Sequence, residues 1–537
     1  MTAPVAPGRS GRIWTLVLVC VSVFCLLMNV TIVAVALPSI QKAMDTDLSN
    51  LSWVINAYNL PLACLMLTAA TLGDRLGRKK IFQAGMLVFT IGSLACALTS
   101  SPLPLEIARV VQGLGGTMLF AMTLPLIGAA FPDPKARTGA IGAFGASIAA
   151  AIAVGPLLGG ALCDGPGWRW IFLVTVPVTA AAFLIGFKYL DESRSDRPKP
   201  ADWPGTVLLT LGLVASLYGL VQGNKDGWTS AKILTSFTVG GALLIGFVVW
   251  EALSKSPMLE LRLFKNRKFL GVVLASFGVE ATLVAIINYL AIWVQNGLEY
   301  DAIDAGVRFL PLTGAAFIAA PLAAKLSRKI SDQWLCAYAM VLVAAGIWSL
   351  TGLNGNSSWT HLIVGFILAG AGMGMISSSA SAAALNAVEP RDAGMATGAV
   401  NTLRRMGTSI GVAVMGAVFE QRVASDATTR LHGPKIPEAM QSAAKPITEA
   451  LQSGAGVHVA QASPPQGRAV LTEVAQWSTA YGTNQMLVVS AIGATVLAAL
   501  TILMTVGKGR TAPAQDVVAD KQTAPAAAPP VGAPVSR

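Results

Sequence analysis

The sequence predicts an all-α membrane protein of about fourteen spanning helices, and three observations carry that expectation. Of the 537 residues, 54% are hydrophobic and only 12% charged, with a mean hydropathy of +0.63, whereas a soluble domain carries roughly a quarter charged residues. The apolar residues lie in runs about as long as a bilayer-crossing helix, and the runs are continuous where barrel strands would alternate. The cations between the runs cluster in every second loop, the pattern that the positive-inside rule produces in a polytopic chain.

Taken in order, the runs place spans near 14–37, 52–72, 82–100, 105–130, 138–162, 170–190, 205–222 and 231–253, then near 269–294, 305–325, 334–353, 360–385, 397–420 and 485–506. The first run contains Ala34-Val35-Ala36, an imitation of a signal-peptide cleavage site. It is longer than an export h-region and many apolar runs follow, so it reads as an uncleaved first span. Arg9 and Arg12, Arg75 to Lys80, Lys135 and Arg137, Lys188 to Lys199, Lys255 to Lys268, Lys325 to Lys329, and Lys508 and Arg510 mark one side. That side is read as cytoplasmic, which puts both termini inside and requires an even number of spans. The formal charge of +11 is thereby explained by topology rather than by nucleic acid.

The expected organisation is a cytoplasmic N-terminus (1–13), a six-helix half (14–190), a two-helix insert with its flanking cytoplasmic loops (191–268), and a second six-helix half (269–506). A long outside loop (421–484) interrupts the second half, and an Ala/Pro-rich tail (507–537) is expected to be disordered. An internal echo supports the two halves. Leu72-Gly73-Asp74-Arg75-Leu76-Gly77-Arg78-Lys79 returns degraded as Leu322-Ala323-Ala324-Lys325-Leu326-Ser327-Arg328-Lys329, at an offset of 250 residues. Gly113 to Gly370 repeats at 257 and Thr138 to Thr397 at 259. Three echoes in order at nearly constant offset point to paired halves around a midplane site, the architecture of an alternating-access transporter.

Two motifs have a direct physical reading. In the loop after the second span, Gly73 and Gly77 permit close approach of helix ends, Asp74 accepts hydrogen bonds, and Arg75 and Arg78 hold the inside face, which together suit a gating latch. In the fifth span, Gly155, Gly159 and Gly160 allow backbone-to-backbone packing, and Pro156 removes one donor and bends the helix. The 72–80 loop resembles the major facilitator signature between helices two and three. Gly155-Pro156-Leu157-Leu158-Gly159-Gly160 resembles the antiporter motif of helix five, and Arg109-Val110-Val111-Gln112-Gly113 the family's helix-four motif. Trp168-Arg169-Trp170-Ile171-Phe172, Asp202-Trp203-Pro204-Gly205 and the helix-one stretch from Thr31-Ile32-Val33 to Leu37-Pro38 are similar to the fourteen-span drug:proton antiporter branch. The resemblance implies a major facilitator fold that exports hydrophobic or amphipathic small molecules in exchange for protons; a bacterial inner membrane is the expected location and a monomer the expected state. The resemblance also implies that the bend at Pro156 closes a leak path.

Ionisable residues within spans are costly and are functional candidates. Glu280 lies near the middle of 269–294 and is the candidate proton carrier; the alternative is a neutral Glu280 that only hydrogen-bonds a neighbouring helix. Arg109 sits a turn or two inside the fourth span and is the second coupling candidate; the alternative is that it snorkels to the nearer surface. Many antiporters of the resembling branch carry an Asp just before the Thr-Ile-Val stretch of helix one, and here Asn29 stands there. A helix-one proton site therefore does not carry over, which moves the expectation to Glu280 and the substrate towards neutral or anionic compounds. Asn29, Gln112 and Asn288 are the candidate polar residues of the substrate cavity, and Arg404 and Arg405 read as an anchor for the inside end of the thirteenth span.

No metal or cofactor is expected. His361, His432 and His458 have no partners at ligand spacing, and the six cysteines occur singly as packing residues. No G-x-x-x-x-G-K-[ST] phosphate loop occurs, so transport must draw on an ion gradient or on the substrate's own gradient. An embedded enzyme would need a polar catalytic cluster, and the intramembrane ionisable residues are scattered singly along the chain. A nontransporting sensor would be expected to carry a sizeable soluble domain. A metabolite exchanger or uptake transporter of the same fold is the nearest alternative. The expected partners are thus a small-molecule substrate, protons and the lipid bilayer, without nucleic acid.

Overall fold

A computed structural model of the protein describes residues 9–194, 200–327, 329–388, 393–433, 436, 441–452 and 465–506. The expected tail 507–537 lies outside the described residues, as do 1–8 of the N-terminal segment. The described residues form helices α1 (Arg9–Met44), α2 (Leu48–Leu76), α3 (Arg78–Leu98), α4 (Pro102–Ala130), α5 (Pro134–Asp164) and α6 (Trp170–Tyr189). The inserted pair follows as α7 (Trp203–Asp226) and α8 (Ala231–Leu253), and then come α9 (Arg267–Gly297) and α10, a pair bent by 41° made of Ala302–Arg308 and Leu310–Leu326. The last are α11 (Asp332–Leu350), α12 (Leu362–Ala387), α13 (Ala393–Leu431), the short α14 (Ala444–Gln452) and α15 (Pro465–Val506).

The ends are set by local chemistry. Asp47, Asp133 and Asp202 accept backbone N–H bonds from Asn50, Ala136 and Gly205 at 2.8–2.9 Å and so cap α2, α5 and α7. Gly77, at φ 122°, takes the left-handed conformation that stops α2 and lets α3 begin one residue later. Two stretches of α9, Glu280–Val284 and Trp293–Gly297, widen into π-helix, a distortion often found at functional sites.

Twelve helices among the described residues are long and apolar enough to cross a membrane, and the bent pair α10 makes a thirteenth. The run expected at 397–420 forms the 39-residue α13, which is not among them because polar and charged residues, Arg404, Arg405, Thr408 and Ser409 included, dilute its apolar content. Much of the described part of the 421–484 segment is helical. Helix α13 runs on to Leu431, α15 begins at Pro465, and α14 lies between them.

The two six-helix sets pack by one scheme. In the first, α1 lies on α5, α2 on α4, and α3 on both α4 and α6; in the second, α9 lies on α13, α10 on α12, and α11 on both α12 and α15. Helices α7 and α8 pair with each other, and α7 reaches α2 of one set and α13 of the other. The sets meet where α2 faces α13, α5 faces α10 and α1 faces α9. Large apolar side chains such as Leu253, Ile245, Leu184 and Ile318 point outward, each at least 68% exposed. An outer surface of this kind is stable against hydrocarbon, where such side chains incur no hydration cost.

Candidate functional site

A central cavity opens between the two sets. It is walled by α1, α2, α4 and α5 on one side and α9, α10, α12 and α13 on the other. Most of the wall is aliphatic, and four charged side chains line it: Arg109, Glu280, Arg404 and Arg405.

Close helix packing brings Glu280 to its partners. A Cβ on Gly407 would lie 2.7 Å from the Phe277 carbonyl oxygen, and one on Gly411 would lie 2.7 Å from the Ala281 Cα. These two glycines, four residues apart on α13, let the α9 backbone lie directly against it. Arg404 and Thr408 have the same four-residue spacing on the adjoining face. Arg404 Nε then donates to Glu280 Oε1 at 2.5 Å and Thr408 Oγ1 to Glu280 Oε2 at 2.8 Å. Glu280 is 3% exposed and sits where α9 widens into π-helix.

Arg109 does not snorkel. Its residue exposure is 1%, and it donates to Val54 O at 3.1 Å and to Asn29 Oδ1 and Gln112 Oε1 at 2.7 Å each. Its guanidinium carbon stands 4.3 Å from the Tyr58 ring centroid, and Gln112 passes the chain of bonds on to Ser93 at 2.8 Å. The cation is thus held by carbonyl and amide dipoles and an aromatic face, with no carboxylate in the set. Asn29 and Gln112 serve behind the wall as its acceptors and do not line the cavity, whereas Asn288 does line it, with its amide turned back to Val284 O at 3.1 Å.

Arg404 and Arg405 are not an end anchor. The helix that carries them begins at Ala393, about three turns earlier, and both side chains face the cavity. The ionisable residues that lie singly along the chain are brought together here, across the two sets. Rotation between helices sets this arrangement, and hydropathy carries no information about it. A signal was present all the same: Arg404, Gly407, Thr408 and Gly411 form one polar and one small-residue stripe within an apolar run, so the rule that nominated Glu280 applies equally to the two arginines.

The two motifs occupy other parts of the structure. Asp74 and Arg78 form an i,i+4 pair at 2.8 Å, Arg78 N–H donates to Ser193 O at 2.9 Å, and Lys79 N–H donates to Glu192 Oε1 at 3.1 Å. These bonds tie the 72–80 loop to the chain just after α6, and Gly73 is buried beside Met122 while Arg75 is exposed. On α5, Gly155 lies against Thr31, and a Cβ on Gly159 would stand 3.0 Å from the Ile32 carbonyl oxygen. Gly160 faces α10, where a Cβ would fall 2.5 Å from the Ile303 Cα. In return a Cβ on Gly306 would fall 2.5 Å from the carbonyl oxygen of Pro156, which lines the cavity. Asp164 closes the seam by accepting from the N–H groups of Ala302 at 3.2 Å and Ile303 at 2.6 Å, the positive end of a helix.

Two packed helical sets with a shared central cavity define a membrane transporter. Residues 19–412 match the Major Facilitator Superfamily, and the chain belongs to that family. It is 29% identical over 499 residues to the tetracenomycin C resistance and export protein of Streptomyces glaucescens, covering 93% of this chain and 92% of that one. It is 32% identical over 411 residues to the multidrug resistance protein Stp of Mycobacterium tuberculosis, covering 76% of each. Among solved structures, a bacterial homologue of the human lysosomal transporter Spinster, inward-facing and occupied, covers 93% of this chain and 97% of its own, with a TM-score of 0.62 at 15% identity.

Proposed function

We propose that the protein exports drug- or antibiotic-like small molecules across the bacterial plasma membrane by proton antiport with alternating access, as a monomer with both termini in the cytoplasm. The observation that carries the reading is the Glu280–Arg404–Thr408 cluster, built from two different helices in a cavity that both halves line. An ionised Glu280 holds α9 to α13 through Arg404. A proton arriving on Glu280 cancels that attraction and frees Arg404, so the same side chain both carries the proton and changes the packing between helices. Energy coupling needs that double role. One proton entering down an inside-negative potential contributes about 2.3 kcal/mol per 100 mV, enough for gradients of tens-fold. Relatives named for resistance and export favour export over uptake.

The test is accumulation of cationic, neutral and anionic antibiotics in cells expressing the wild type or Glu280→Gln, with and without a protonophore. The expected result is lowered accumulation in the wild type that disappears both with the protonophore and in Glu280→Gln. Unchanged accumulation across the panel would turn the reading to a metabolite exchanger, and export that survives Glu280→Gln would remove Glu280 from the coupling.

A further inference from the structure

The charges around the cavity do not balance. Against one carboxylate, Glu280, stand three guanidiniums, Arg109, Arg404 and Arg405, so with Glu280 ionised the site carries a formal excess of two positive charges. Two of the three cations are engaged. Arg404 is paired with Glu280, and Arg109 is held by Asn29, Gln112 and the Val54 carbonyl beneath the Tyr58 ring. Arg405 is 5% exposed and lines the cavity, yet among the described residues its guanidinium makes no hydrogen bond and no close ion pair, and the only carboxylate it feels is the Glu280 that Arg404 already holds. A buried guanidinium whose N–H groups make no hydrogen bond is expensive, and five N–H donors in a fixed fork are shaped for a planar oxyanion.

We infer that Arg405 anchors an acidic group of the transported molecule, and that the substrate class is an amphipathic organic anion, a carboxylate or comparable oxyanion on an apolar body. The inference rests on the export reading for direction of transport only. The apolar body has a matching wall in Leu27, Val30, Val284, Ile287, Phe309 and Met373. The same excess charge disfavours a cationic substrate, because a fourth positive charge in a low-dielectric cavity meets net repulsion from three guanidiniums against one carboxylate. Exchange of one inward proton for one outward monoanion would move two elementary charges down an inside-negative potential, so an anionic cargo is also the cargo best served by the gradient.

The experiment is equilibrium binding of three probes sharing one aromatic body, 1-pyrenebutyrate, 1-pyrenebutanamide and 1-pyrenebutylamine, to the full chain in lipid nanodiscs, with empty nanodiscs as the blank. The expected result is that the acid binds at least about tenfold more tightly than the amide, the amount one charge-assisted bond contributes. Arg405→Gln is expected to bring the two within about twofold, and Arg405→Lys, which keeps the charge and guards against a folding defect in the first variant, to retain part of the preference. Glu280→Gln removes the cavity's own anion and should strengthen binding of the acid further. Equal binding of acid and amide, tighter binding of the amine, or a preference untouched in Arg405→Gln would overturn the inference. Equilibrium binding needs no gradient. Loss of the acid preference with protonophore-sensitive export intact would therefore overturn this inference alone, and the reverse pattern would overturn the export reading alone.

Discussion

At the scale of single residues, the Glu280–Arg404 pair and the Arg109 network make different predictions because they are compensated differently. Glu280→Gln or Arg404→Gln leaves one buried charge without its counterion, whereas the double variant removes both. The double variant should therefore unfold at a higher temperature than the sum of the single losses predicts, with a coupling of about 1–3 kcal/mol in a double-mutant cycle. Additive losses would mean the pair is not energetically joined. Arg109→Lys preserves the charge and loses the fork that reaches Val54, Asn29 and Gln112 together. It should cost about 1–3 kcal/mol in thermal unfolding, and a neutral outcome would show that only charge is needed there.

At the scale of helices, small residues decide which side chains meet. Gly411→Val would push the α13 face away from Ala281 on α9 and separate Arg404 from Glu280 with no change to either. We expect it to reproduce the coupling defect of Glu280→Gln in protonophore-sensitive accumulation, and retention of coupling would break the link between packing and site. The inserted helix α7 works as a strap across the seam between halves. Thr206 bonds Thr68 of α2 at 2.7 Å, while Asn224 donates to Ala417 O at 2.8 Å and to Glu420 Oε2 at 3.0 Å, both on α13. Asn224→Ala leaves the buried Glu420 short of a donor and should lower stability by about 1–3 kcal/mol, measured as the shift of thermal unfolding in detergent.

At the scale of the whole molecule, the two halves are joined unequally along α5. Near its C-terminal end, Gly160, Gly306 and Asp164 weld it to α10, whereas towards its start a Cβ on Gly139, Gly142 or Gly145 would meet nothing within 4 Å. Along α5 the contact between the halves is therefore concentrated at the end carrying Asp164. If the halves rock, the Asp164 contacts must open first. Asp164→Ala should raise labelling of a cysteine placed at Thr313, in a background without the native cysteines, by an impermeant thiol reagent added from outside. Unchanged labelling would show that Asp164 does not hold that seam.

The sequence by itself determined the solvent, the repeat and the approximate spans, because hydropathy, loop charge and residue echoes are local and survive without any knowledge of contacts. It also singled out Glu280 as an isolated carboxyl in an apolar run, and the glycines of 155–160 as packing residues. Only the tertiary structure decided who their partners are. Glu280 meets Arg404 across 124 residues of chain, Arg109 meets Asn29 across 80, and Gly160 meets α10 rather than a helix of its own half. The physical reason is that a helix presents a full turn of faces and its sequence does not say which face a distant helix will cover. Arg404 and Arg405 looked like a topological anchor at one end of a span until the rotation of α13, set by Gly407 and Gly411 against α9, turned them into the cavity.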